Sequence, residues 1–112
     1  MEILDPLLHQ PLRTQLAAFL AGAGEATFTE LKRQLDVSDG NLDSHLKKLI
    51  AADYINVRKD ESAARVQTCY ALTKTGRAAL QSYILALQKL LPLDASATET
   101  QNKPGGIKLQ SA

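Results

Sequence analysis

Asn41, Ser44, His45, Lys47 and Lys48 crowd into one short stretch of the chain, and each can hydrogen-bond to an outside partner. Their chemistry is that of base and phosphate recognition. An Asn amide can bridge N6 and N7 of adenine, Ser and His reach bases or phosphates, and Lys suits guanine or phosphate. Gly40, just upstream, would let the backbone approach a phosphate closely. Interleaved with these residues are Leu42, Leu46, Leu49 and Ile50, an apolar stripe at helical period. Ser38 stands where a hydroxyl can cap a helix, and Asp39 follows at the positive end of the helix dipole. The spacing predicts a helix over 38–52 with an apolar back and a hydrophilic edge. A solvated helix face is the bland alternative for that edge.

Other chemistries find little to build on. The 112 residues include one cysteine and two histidines, and neither His9 nor His45 has a ligand-type neighbour at suitable spacing. Metal binding and disulfide bonding within the chain are therefore not expected. Cys69 reads as a structural cysteine, alternating with inward-facing Thr68 and Tyr70. No Gly-rich phosphate loop, paired-carboxylate cleft or activated nucleophile is present, so the chain does not read as an enzyme and no cofactor is expected. No apolar run is long enough to span a bilayer and no signal peptide is seen, which predicts a cytoplasmic protein. The net charge of +1 does not announce a nucleic-acid partner. From Ser38 to Arg65, five cations face five acids, so local charge is balanced as well. Binding to phosphates would then be weak, or would depend on two copies acting together.

The elements that must position the hydrophilic edge come from the flanking sequence. Pro11, Leu12, Leu16, Phe19 and Leu20 mark a helix stopped at Gly22-Ala23-Gly24. Asp5-Pro6 reads as another helix start, with Leu7 and Leu8 in a short turn or leading helix. Ala26-Thr27-Phe28 is briefly extended. A short helix to Leu35 follows, capped either by Thr27 in a capping box with Glu30 or by Thr29. Its close approach to the 38–52 helix gives a helix-turn-helix. Lys32 and Arg33 on the first helix of that pair either meet phosphates or form a solvated face.

Tyr54 to Lys59 and Val66 to Leu72 alternate, with Ile55 and Val57 on one side and Val66, Thr68, Tyr70 and Leu72 together. Joined by a polar loop, they read as a β-hairpin wing over 58–67. Its cations Arg58, Lys59 and Arg65 suit backbone or minor-groove contact. Thr73 or Thr75 caps a last helix, about 76–91, that Pro92 ends. Leu80, Tyr83, Ile84, Leu87, Leu90 and Leu91 follow three-four spacing, which predicts a homodimer packed through this helix. Residues 93–112 read as a flexible polar tail, leaving 1–92 as the domain. The fold class is thus mostly α with a small β-hairpin (α+β), a winged helix-turn-helix with an added C-terminal dimerisation helix.

The stretch Ser38-Asp39-Gly40-Asn41-Leu42-Asp43-Ser44-His45-Leu46 resembles the recognition-helix motif of small winged-helix transcriptional regulators related to the MarR and ArsR families. Leu4-Asp5-Pro6, Pro11-Leu12-Arg13, Asp53-Tyr54-Ile55, Tyr70-Ala71-Leu72-Thr73 and Thr75-Gly76-Arg77 are similar to the same group, so the likeness runs from Leu4 to Leu91. It implies a dimeric repressor or activator that binds double-stranded DNA, with dimer contacts through the terminal helices. Some relatives also hold an effector between the first and last helices, and nothing in these residues identifies one. Two departures matter. The wing keeps Arg65 but has Gln67 where a second Arg is common, and the clustered Cys and His of ArsR-type metal sites are lacking. A winged-helix module for protein interaction, without specific DNA binding, is the alternative function.

Overall fold

The computed structural model describes residues 4–62 and 64–91. The helices are α1 (Pro11–Ala23), α2 (Phe28–Leu35), α3 (Asp39–Ala51) and α4 (Lys74–Leu90), and the strands are β1 (Ala26–Thr27), β2 (Ile55–Asp60) and β3 (Gln67–Leu72). The strands form one antiparallel sheet in the order β1-β3-β2. This is the α+β winged-helix architecture expected from the sequence. The brief extended piece proves to be a third strand, with Ala26 opposite Tyr70 and Thr27 opposite Cys69. The tail 93–112 and the Pro92 stop lie outside the described residues.

Capping residues set each helix boundary. Asp5 does not start a helix; its Oδ1 accepts from the Leu7 amide at 2.9 Å and closes a turn instead. The Gln10 side chain accepts from the Arg13 amide at 3.0 Å, with Pro11 in the first helical position. Of the two candidate caps for α2, Thr27 is the one used. Its Oγ1 accepts from the Glu30 amide at 3.1 Å while Glu30 returns the bond to the Thr27 amide at 2.9 Å. Asp36 ends α2 in the left-handed region at φ 53°, and Ser38 caps α3 through the Asn41 amide at 3.2 Å. Thr73 rather than Thr75 caps α4.

The core gathers leucines from every helix. Leu8, Leu16, Leu20, Leu31, Leu42, Leu46 and Leu49 are fully buried and meet Ile55, Tyr70 and Leu80. Three leucines from α3 thus anchor its back, each side chain burial contributing roughly 1.5–3 kcal/mol. Tyr54 ties three segments together. Its hydroxyl donates to Asp5 Oδ2 at 2.5 Å, and its carbonyl accepts from the Thr73 amide at 3.0 Å. Gly76 is buried directly against that carbonyl.

The hydrogen bond to Asp5, then burial, pushes the Tyr54 phenol from 10 up to about 12. The unfolded chain therefore releases this proton first, and stability should fall as pH rises through that interval. Tyr54→Phe should cost about 1 kcal/mol near pH 8 from the lost bond. Its urea midpoint should then converge on the wild type's at high pH. Some alkaline loss should persist in the variant, because burial also raises Tyr70.

Several sequence expectations need correction. Leu80 and Tyr83 are buried in the chain's own core, so they are not free to form the seam between two copies. Leu87 is partly buried against the same core, leaving Ile84, Leu90 and Leu91 exposed. Val57 and Val66 are exposed although their alternation pointed inward. Val57 lies on the edge strand β2, opposite Tyr70 of the central strand, and Val66 lies before β3 starts. Cys69 is buried despite lying on the opposite face from Tyr70. Its registered neighbours Thr27 and Arg58 flank it because β3 is the central strand.

Candidate nucleic-acid interface

With Leu42, Leu46 and Leu49 turned into the core, α3 presents its other side outward. Ser38, Gly40, Asn41, Ser44, Lys47 and Lys48 are all exposed there. The chain thus brings most of the expected edge to one open surface and covers none of these six. The α2–α3 turn that carries them is fastened by Lys32, whose Nζ lies 2.7 Å from Asp39 Oδ1.

His45 stands differently from the rest. It is half-buried on the flank of α3 nearest α1, and its Nδ1 lies 3.0 Å from Nη1 of Arg13. Burial, and then the positive charges of Arg13 and Lys48, hold its imidazole below the usual value. Arg13 is itself anchored, since its Nε donates to the Leu7 carbonyl at 2.6 Å. Sequence reasoning passed over Arg13 because its partner is 32 residues away and no local pattern marks such a contact.

The wing divides its three expected cations. Arg58 is drawn back across the sheet to Glu25, with Nε 3.0 Å from Oε2 and Nη2 2.7 Å from Oε1. That fork holds the Glu25 carboxyl below its ordinary range. Lys59 reaches Thr68 Oγ1 at 3.4 Å, and Arg65 is exposed in the loop. On α3, Lys47 is paired with Asp43 at 3.0 Å. Lys32, Lys47 and Arg58 are therefore each matched by an acid of the same chain. Arg33, Lys48, Lys59 and Arg65 make no ion pair among the described residues. Of the five cations and five acids counted between Ser38 and Arg65, only Lys47 and Asp43 pair with each other among the described residues; Asp39 and Arg58 find partners outside that stretch.

Among the described residues there is no group of three or more His, Cys, Asp or Glu that could hold a metal ion. No helix there is long and apolar enough to cross a membrane. Two open grooves flank Tyr83, whose hydroxyl lies 2.9 Å from His9 Nδ1.

The family described as a winged helix DNA-binding domain matches residues 12–91. An uncharacterized protein of Methanocaldococcus jannaschii, MJ0432, is 33% identical over 84 residues, spanning 75% of this chain and 91% of that protein. The structure of a transcriptional regulator homologue from Pyrococcus horikoshii OT3 superposes with a TM-score of 0.71 at 27% identity, covering 75% of this chain and 83% of that one. The transcriptional repressor BigR from Xylella fastidiosa gives 0.60 at 24% identity, over 76% of this chain and 80% of that one, a likeness of fold.

Proposed function

The chain belongs to the winged helix DNA-binding domain family, and from that premise we propose that it is a sequence-specific transcriptional regulator acting as a homodimer. Helix α3 enters the major groove and the wing lies along the backbone or minor groove. One observation carries the reading: the leucine back of α3 is wholly buried while its hydrophilic edge is left open. Two copies place two such edges in successive grooves roughly 34 Å apart, so the operator is an approximate palindrome. The exposed Ile84, Leu90 and Leu91 on and beside α4 supply the apolar surface for pairing.

A salt titration on mixed-sequence duplex DNA tests the reading. Each phosphate neutralised contributes a slope of about −0.9 in log K against log salt. Four unpaired cations give no more than about −4 per protomer. Absent or salt-independent binding at low salt would favour the protein-interaction module instead. Lys48→Ala should weaken binding to all sequences and shrink the slope by about 0.9 per protomer. Asn41→Ala should instead relax sequence preference at the base it reads.

Asp43→Asn separates this electrostatic account from a general surface effect. Removing the acid frees Lys47 from its 3.0 Å ion pair. The variant should bind every duplex more tightly, by several-fold at low salt, and the gain should fade as salt is raised. The pair is exposed, so its loss should leave the melting temperature almost unmoved.

A further inference from the structure

We propose that Arg13 is a positioning residue for His45: it holds the imidazole in the Nε2–H form, so that the flank of α3 offers DNA a donor and no acceptor. The DNA half of this proposal rests on the regulator reading above, whereas the Arg13–His45 half does not.

The chemistry follows from the donor inventory. A guanidinium has N–H donors and no acceptor, so at 3.0 Å from Arg13 Nη1 the His45 Nδ1 must supply a lone pair. A neutral imidazole with an accepting Nδ1 carries its proton on Nε2. Burial first, and then the two cations that face the ring, Arg13 from α1 and Lys48 from its own helix, keep it neutral. Nε2 has no hydrogen-bond partner among the described residues.

The arrangement is held from behind. Arg13 Nε is fixed on the Leu7 carbonyl at 2.6 Å, and the Leu7 amide is fixed on Asp5 at 2.9 Å. His45 follows Asn41 by one helical turn and precedes Lys48 by three residues, so it borders the open edge of α3. In the major groove a lone donor matches N7 of either purine, O6 of guanine or O4 of thymine. It meets only another donor at the amino group of cytosine. The tautomer set by Arg13 therefore selects against cytosine at the base that His45 faces.

Imidazole nitrogen NMR on the full chain, paired with selection of bound fragments from random duplex DNA, tests both halves. The wild type should show only the Nε2–H form, titrating below the ordinary histidine value. Arg13→Ala should populate both tautomers and raise the titration, while Arg13→Lys, still a pure donor, should keep the Nε2–H form. In the selection, an about tenfold bias against cytosine at one position per half-site should vanish in Arg13→Ala and in His45→Gln, whose amide both donates and accepts.

An Nδ1–H tautomer in the wild type, or an unchanged ring in Arg13→Ala, would overturn the role of Arg13. Identical selected sequences from wild type and His45→Gln would overturn the specificity claim even if Arg13→Ala failed to fold. A wild type that selects no sequence would overturn the regulator reading instead, with the spectra still deciding the Arg13–His45 pair.

Discussion

Gly76→Ala should destabilise the fold severely, moving the urea midpoint far below that of the wild type. A methyl group built there overlaps the Tyr54 carbonyl oxygen and lies 2.8 Å from its carbonyl carbon and 2.9 Å from its Cα. All three atoms are backbone, so no side chain can swing aside. The contact cannot relax by moving α4 alone, because the Thr73 amide donates to the same carbonyl at 3.0 Å and Thr73 Oγ1 donates to the Asp53 carbonyl at 2.6 Å. Relief therefore requires the α3–β2 junction and the start of α4 to separate, which would uncover Leu80 and Tyr83. Overpacking costs about 1–3 kcal/mol, and a clash with backbone on every side belongs at the upper end, a large part of the 5–15 kcal/mol that holds most domains folded. Urea unfolding followed by far-ultraviolet circular dichroism measures the loss. Gly22→Ala is the matching control, since nothing lies within 4 Å of the added methyl. That change should be neutral or mildly stabilising, as Ala outranks Gly in a helix.

Ile84→Arg combined with Leu90→Arg should give a folded monomer that has lost most of its hold on DNA. Both residues are exposed in the single chain, at 43% and 48%, so two arginines there should move monomer stability by less than about 1 kcal/mol. Between two copies the same substitutions bring like charges into an apolar seam, where unpaired burial costs several kcal/mol. Sedimentation should show a dimer for the wild type and half that mass for the variant at micromolar concentration. Linking two half-sites through one assembly raises overall affinity by 10²–10⁴-fold, so operator binding should fall by about 100-fold or more. A variant that stays dimeric would move the pairing surface elsewhere. One that becomes monomeric yet binds DNA as before would remove the need for two copies.

What the sequence disclosed follows the range of each interaction. The cap at Ser38, the leucine spacing of α3 and the alternation of the hairpin are written within a few residues, and the corresponding elements stand where expected. The capping box at Thr27 was legible too, though only the folded chain chose it over Thr29. Asp43 and Lys47 sit one turn apart, so their pairing could be read from spacing alone. Arg58 could not be treated that way. Its partner Glu25 lies 33 residues earlier and comes within reach only because β1 joins the edge of β3.

Periodicity likewise showed that α4 has an apolar stripe without showing what would cover it. Spacing alone sends Leu80 and Tyr83 to a second copy, because it carries no measure of the surface that α1 and β3 cover. The core claims them, and of the six residues expected in the seam only Ile84, Leu90 and Leu91 remain exposed. His45 illustrates the same point at the reading edge. Its position on the helix marks it as an expected contact residue, but the group that hydrogen-bonds its Nδ1 is Arg13, 32 residues away.

Three acids that occupy Lys32, Lys47 and Arg58 also bear on how fast a duplex is found. Long-range attraction can lift association far above the unsteered 10⁵–10⁶ M⁻¹s⁻¹ when one face carries a strong uncompensated field. Here much of that field is spent inside the molecule. On the regulator reading proposed above, the remaining cations should steer a duplex only modestly, and discrimination between sites should reside in how long each encounter survives.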